Sequence, residues 1–325
     1  MDEFQLIQRF FSPLSRLTKG SVRLGVGDDG AVLAPPPGCD LVMATDTVLA
    51  GVHFPMDCPP RAIAHRALAV NLSDLAAMAA DPLWYTLALS LPAASTRWLS
   101  GFSKGLERLS GETGIALVGG DTVRGPLAVT ITVVGSVPRG RAVTRVGARP
   151  GDWICVTGPL GRAAAGLSAW RKGQRRGATL LPFLYPRPAL EWVPLLREFA
   201  HSALDVSDGL IQDLGHLLRG RPLGAVIDLD RLDCEPRDLG GLKRALSGGD
   251  DYVLCFTVAP RQWTALQRRV RARHLDCRMI GQIVPGAGIR YRGEMADRIR
   301  HTRIRGYDHF QKIPLPRRHA RPDAH

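Results

Sequence analysis

Apolar positions recur along the chain with two periods, one helical and one strand-like. Within residues 1–19, Phe4, Leu6, Ile7, Phe10, Phe11 and Leu14 fall at helical spacing and predict a short amphipathic helix packed on the body. Ala31-Val32-Leu33 predicts a strand ended by Pro35-Pro36-Pro37-Gly38, and Leu41-Val42-Met43-Ala44 a buried strand ending at Thr45-Asp46. Ala67, Leu68, Asn71, Leu72, Leu75, Met78 and Ala79 share one face and predict a helix over 61–80. Residues 84–89 and 127–137 read as strands, with a helix over 97–111 between them. The first half is therefore roughly β-β-α-β-α-β, an α+β pattern.

Arg149-Pro150-Gly151-Asp152 reads as a turn and sets the expected boundary between a first domain, 1–148, and a second, 149–311. The second half opens with a strand over 153–157, which leads through Gly158-Pro159-Leu160-Gly161 into a helix over 162–170. Residues 171–179 read as a solvated basic loop. After Asp208-Gly209, Leu210, Ile211, Leu214, Leu217 and Leu218 line one helix face. Strands are expected at 225–227, 252–258 and 279–280. Residues 312–325, rich in Pro, Arg and His, read as a disordered basic tail.

With 325 residues, 45% hydrophobic and 22% charged, the chain has room for two ordinary domains and a sizeable core. The charge of +13, from 43 Lys+Arg against 30 Asp+Glu, favours anionic partners: nucleic acid, membrane surface or phosphorylated metabolites. The arginines are scattered without interleaved aromatics or a nucleic-acid-binding signature, so no nucleic-acid partner is expected. No apolar run is long enough to span a bilayer. The N-terminus lacks a basic region followed by an apolar run, so no signal peptide is expected. The cysteines at 39, 58, 155, 234, 255 and 277 form no CxxC pair and read as free thiols in a reducing cytoplasm.

Carboxylates change the picture most. Gly27-Asp28-Asp29-Gly30, Thr45-Asp46-Thr47, Asn71-Leu72-Ser73-Asp74, Gly119-Gly120-Asp121-Thr122 and Asp205-Val206-Ser207-Asp208-Gly209 each set Asp beside small or hydroxyl residues. Adjacent carboxylates repel one another unless a cation neutralises them, and hard divalent cations prefer such oxygens and share them with substrate phosphates. Asp74 borders an apolar helix face, where a carboxylate is costly unless paired or metal-bound. The five stretches together predict a site for metal ions and a nucleotide phosphate chain. Gly25-Val26-Gly27-Asp28-Asp29-Gly30 matches GxGxxG literally, but its carboxylates would repel a pyrophosphate, so a dinucleotide reading is rejected. No Walker A sequence or protein-kinase signature set occurs.

Seven stretches stand in order: Gly27-Asp28-Asp29, Thr45-Asp46-Thr47 with Gly51-Val52-His53-Phe54, the run from Ala69 to Met78, Gly119-Gly120-Asp121-Thr122, the run from Leu204 to Leu210, Ser247-Gly248-Gly249-Asp250-Asp251-Tyr252, and Gly306-Tyr307-Asp308-His309-Phe310. From Phe4 to Phe310 the chain resembles the thiamine-monophosphate kinase family, of the aminoimidazole-ribonucleotide-synthetase-like superfamily. The resemblance implies a two-domain α+β fold: an N-terminal domain whose strands join a partner's in a homodimer β-barrel, and a C-terminal domain of ferredoxin-like character. It implies direct transfer of the ATP γ-phosphoryl group to thiamine monophosphate, assisted by several Mg²⁺ ions and no catalytic side chain. The implied metal set is Asp29, Ala44 (carbonyl), Thr45, Asp46, Asp74, Asp121, Asp205 and Asp208, with Asp46 and Asp121 sharing one ion. ATP contacts are implied for Gly120, Asp121, Arg145 and Ser207, and substrate contacts for His53, Asp250 and Ile304. Asp250 stands where the family usually has Glu, and Ile304 where an aromatic could stack on the substrate ring. A selenophosphate synthetase is disfavoured because residues 1–30 hold only Lys19 and no Cys. A basic nucleic-acid binder leaves the acidic stretches unexplained, and a structural calcium site lacks EF-hand spacing.

Overall fold

A computed structural model describes residues 3–17, 21–300 and 306. Ile304, Tyr307 and the tail from 312 lie outside the described residues. Helix α1 (Glu3–Phe10) is shorter than the predicted amphipathic segment and gives way to a 3₁₀ turn, Ser12–Leu17. Pro13 explains the stop, because it has no N–H to donate and disfavours helix in the residue before it. Leu6, Phe10, Phe11 and Leu14 are all buried in the core.

Strands β1 (Val22–Leu24) and β2 (Val32–Leu33) pair antiparallel around the Gly-Asp-Asp loop. Then come β3 (Cys39–Leu49), α2 (Pro60–Ala77), β4 (Asp81–Leu91), α3 (Thr96–Thr113), β5 (Ala116–Arg124) and β6 (Ala128–Pro138). The four strands form one sheet in the order β3-β6-β4-β5, antiparallel except for β4–β5, whose parallel pairing is bridged by α3. One face packs on α2. The other carries Thr45 bonded to Thr132 at 2.9 Å, Thr47 bonded to Thr130 at 2.8 Å, and Met43, 71% exposed.

Strand β5 was not expected from the sequence. Gly119 and Gly120 interrupt its apolar run and read as a loop. At Gly120 φ is +154°, and a Cβ there would lie 1.9 Å from the Leu87 carbonyl oxygen, so only glycine lets β5 close on β4.

The second half holds β7 (Trp153–Val156), α4 (Arg162–Arg171), α5 (Leu181–Leu184), α6 (Val193–Phe199), β8 (Ala200–Asp205), α7 (Leu210–Leu218), β9 (Leu223–Asp228), α8 (Leu239–Ser247), β10 (Leu254–Val258), α9 (Trp263–Ala272), β11 (Arg278–Pro285), β12 (Gly288–Arg292) and α10 (Ala296–Arg300). Its six strands run β12-β9-β11-β7-β10-β8, all antiparallel except β12–β9. β8 and β12 were not anticipated, nor were α6, α8 and α9. β8 hides its polarity by pairing the buried Ser202 and Thr257 hydroxyls at 2.8 Å.

Helix α2 corrects the amphipathic reading of 61–80. From Ala62 to Ala77 every residue but Asp74 is buried. β3 and β6 pack on it from one side, and β8, β10 and α5 from the other. A helix buried all round is a core element shared by both halves. It places residues of the two sheets against each other, and the candidate site lies where they meet.

Candidate active site

A cavity of about 880 Å³ opens between the two halves. Asp46 enters it from β3, Asp74 from α2, Asp205 from the end of β8, and Ser207 and Asp208 from the loop before α7. Arg145, His53 and Asp250 line the same space. Eight of the residues implied by the sequence are thus brought together from five separate segments.

Local bonds fix the carboxylates. The Asp46 backbone N–H donates to Asn71 Oδ1 at 2.9 Å, and Asn71 Nδ2 donates to the Ala67 carbonyl at 2.9 Å. Asn71 is fully buried, so this bridge ties β3 to α2 and brings Asp46 beside Asp74. Their side chains share a hydrogen bond. Burial pushes Asp74 up to about 8, helped by the negative charges of Asp205 and Asp46 and opposed by Arg145. Burial likewise pushes Asp205 up to about 6, with a Ser73 hydrogen bond acting against it and the Asp46 charge adding to it. Burial thus makes the charged form of both carboxylates costly, and a bound cation would relieve that cost.

The Ser207–Asp208 loop depends on a residue the sequence reading did not single out. Asp213 Oδ2 accepts the backbone N–H groups of Ser207, Asp208 and Gly209 at 3.0, 3.0 and 3.1 Å. An acidic residue in the first turn of α7 was the available signal, because it can satisfy orphan amides at a helix start. Burial raises Asp213 to about 7, together with the charges of Asp208 and Asp205. Asp208 Oδ2 accepts from Gln212 Nε2 at 3.0 Å, which orients that carboxylate.

His53 Nδ1 accepts the Leu49 N–H at 3.0 Å, which leaves Nε2 to carry the proton of the neutral ring. Its loop is clamped to the second half: Asp57 accepts from Trp170 Nε1 at 3.0 Å and from Arg175 at 2.7 Å. The 171–179 segment is therefore only partly a free solvated loop. In the Gly248–Tyr252 stretch the two adjacent acids separate. Asp250 faces the cavity, while Asp251 caps α4 by accepting from Gly161 N at 2.5 Å and Ala163 N at 3.0 Å.

Other implied residues lie elsewhere in the chain. Asp29, Gly120 and Asp121 line a second cavity of about 330 Å³, beside Ile7 and Phe11. Asp46 aligns through Ile131 and Leu87 with Gly120. Three interstrand steps separate the ends of that row, about 14 Å. Asp46 and Asp121 thus stand on the two outer strands of the sheet, well apart within the chain. The Thr45 side chain does not join Asp46: strand alternation puts it on the opposite face, bonded to Thr132. Ala44 stays on the Asp46 face.

The donor set fits a hard divalent cation. Its oxygens come from carboxylates, two of them pushed upward by burial and by one another's charge, with no thiolate and one histidine whose Nδ1 is committed to the backbone.

Comparison with known proteins agrees with this architecture. Residues 27–137 match the AIR synthase related protein N-terminal domain, and residues 149–293 the corresponding C-terminal domain. The fold is thus an AIR-synthase-like two-domain α+β fold. The thiamine-monophosphate kinase of Escherichia coli K12 is 44% identical over 323 residues, covering 95% of this chain and 98% of that protein. The crystal structure of thiamine-monophosphate kinase from Stenotrophomonas maltophilia is 42% identical with a TM-score of 0.83, covering 90% of this chain and 98% of that one. AaThiL complexed with AMPPCP and TMP is 27% identical with a TM-score of 0.75, covering 95% and 97%.

Proposed function

Because the chain belongs to the thiamine-monophosphate kinase family, we propose that it transfers the γ-phosphoryl group of ATP directly to the phosphate of thiamine monophosphate, giving thiamine diphosphate and ADP. The observation that carries this reading is the convergence of Asp46, Asp74, Asp205 and Asp208 with Arg145 on one cavity. Phosphoryl transfer needs positioning and charge neutralisation more than covalent chemistry. The acceptor is an anionic phosphate oxygen, so no side chain has to remove its proton.

Asp46, Asp74, Asp205 and Asp208 would hold Mg²⁺ in this cavity, with the Ala44 carbonyl beside them. Bound magnesium would neutralise charge on the phosphates. Arg145 adds a fixed positive charge near Asp74 and Asp205. Ser207 has its backbone N–H engaged by Asp213, so its hydroxyl is the group offered to ATP. His53 offers Nε2–H, and Asp250 a carboxylate for the cationic thiazolium ring.

Asp29, Gly120 and Asp121 belong to this reading through a homodimer. The open sheet face, with Leu41, Met43 and Val123 exposed, suits a second copy in a shared barrel. A second copy would bring its small cavity to the large cavity of the first, supplying the metal and ATP contacts that one protomer keeps apart. In this reading residues 1–148 form the ATP and dimerisation domain, residues 149–311 a domain of ferredoxin-like character, and the enzyme works in the cytoplasm.

The test is chromatographic detection of thiamine diphosphate from thiamine monophosphate, ATP and Mg²⁺. Product that forms only with the protein and vanishes with EDTA is the expected result. No product from a folded protein that still binds ATP would overturn the acceptor assignment.

A further inference from the structure

Helix α2 carries an arginine deep in the core. Arg66 is 2% exposed, and a buried guanidinium is costly unless its charge is paired and its donors are used. Its Nη1 donates to the Phe183 carbonyl at 2.8 Å. Its guanidinium carbon lies 4.8 Å from the centre of the Phe183 ring and 5.7 Å from that of Tyr252. Its Nη2 pairs with Asp250 Oδ1. Burial, the largest single influence, pulls the guanidinium down, but the Asp250 charge and hydrogen bond together with Tyr252 and Cys58 outweigh it and the net shift is upward. The cation therefore persists inside the core.

The pair is asymmetric. Arg66 is sealed, whereas the Asp250 side chain keeps 29% of its surface and lines the large cavity. The same Oδ1 also accepts the Tyr252 hydroxyl at 3.1 Å. Two donors thus hold one oxygen from the core side. The backbone is constrained as well. Asp250 and Tyr252 sit at φ +64° and +51°, uncommon for residues other than glycine. Their amides bond to Ser207 O at 2.7 Å and Val206 O at 2.9 Å. The Asp250 turn is thereby fastened to the loop that carries Ser207 and Asp208.

The geometry points to Arg66 as a positioning residue, which acts through Asp250 to aim that carboxylate at a cationic group of the substrate. The inference rests on the proposed thiamine monophosphate reading, whose thiazolium ring supplies the cation. Arg66 itself touches no substrate. It holds Oδ1 and so sets the direction of the remaining carboxylate edge. An aspartate, shorter than glutamate, is carried toward the cavity by its left-handed backbone and kept there by the Arg66 and Tyr252 donors.

The experiment is steady-state kinetics and calorimetric binding of thiamine monophosphate for Arg66→Met, Arg66→Lys, Asp250→Asn and the Arg66→Met/Asp250→Asn double variant, beside the unaltered protein. Arg66→Met should raise the KM and Kd for thiamine monophosphate about tenfold, the usual size for a lost charged hydrogen bond, with the KM for ATP unchanged. Arg66→Lys should recover part of that loss. The double variant should be no worse than Asp250→Asn alone, because both changes remove one interaction. An unchanged KM for thiamine monophosphate in Arg66→Met, or effects that multiply in the double variant, would overturn the inference and leave Arg66 a packing residue. If Arg66→Met does not fold, Tyr252→Phe removes only the second donor. It should raise the same KM by about threefold, and an unchanged value counts against the proposal. If the unaltered protein binds thiamine monophosphate without turning it over, the functional reading fails while the order of binding still decides the role of Arg66. Absence of binding overturns both.

Discussion

Asp74 illustrates how one residue can trade stability for chemistry. It is the only position between Ala62 and Ala77 that escapes full burial, and its carboxyl titrates near 8. Asparagine copies its protonated shape. Asp74→Asn should therefore leave the fold intact and raise the melting temperature of the metal-free protein near neutral pH, while turnover falls by about two to three orders of magnitude. Calorimetry and the diphosphate assay measure the two effects separately, and near-normal activity would refute the metal role. Asp205 extends the argument to pH. Asp74 and Asp205 both titrate above the ordinary carboxylate value of 3.8, so the folded protein binds more protons than the unfolded chain between about pH 4 and 8. Their stabilising contribution is complete below that window and is lost as pH rises through it. Melting curves in EDTA should show the metal-free protein losing stability from about pH 5 to about pH 8, and added Mg²⁺ should restore more at the higher pH. These aspartates were legible in the sequence because each ends an apolar run beside a small residue. Asp213, Asp251 and Arg66 were not. Their task is to hold backbone or another side chain, and such pairings arise only once distant segments meet.

Elements with uninterrupted patterns were the legible ones: α2, α3, β6, β7 and α7 fall close to their predicted places. β5 was hidden by its glycines and β8 by His201 and Ser202, since these break the apolar pattern that marks a strand. α2 was recognised as a helix, but its all-round burial was not foreseeable, because the second half supplies the cover for its polar positions. Contact between α2 and α3 is close enough to test. A Cβ at Gly105 would lie 2.4 Å from the Arg61 carbonyl oxygen and 2.8 Å from the Ala64 Cβ. Gly105→Ala, favourable for an isolated helix, should instead cost about 1–3 kcal/mol by overpacking, read as a lower denaturant midpoint. A stabilised variant would mean that the two helices can separate freely.

For the whole molecule, the division of the acidic residues between two cavities makes a sharp statement about assembly. Asp46→Asn and Asp121→Asn should each be inactive. If two copies build each site, mixing the two variants through a dissociation and reassociation cycle should restore about a quarter of full activity, since half the dimers are mixed and one of their two sites is intact. A mixture of Asp46→Asn with Asp74→Asn should stay inactive, because those residues share a cavity within one protomer. No recovery in the first mixture would return the whole site to one chain. The charge of +13 gave no guide to this arrangement, because the residues that matter are the minority carboxylates.

Helix α2 also serves as a gauge. Arg66, Val70 and Asp74 lie one turn apart along it, and at about 1.5 Å per residue the first and last are separated by about 12 Å. One end anchors the carboxylate proposed to receive the ring, and the other carries the carboxylate proposed to reach the metals. A rod packed on every side does not stretch, so on the proposed reading the enclosure would select by length as well as by charge. An acceptor with the right groups but one methylene more between ring and phosphate would bring one end or the other out of register.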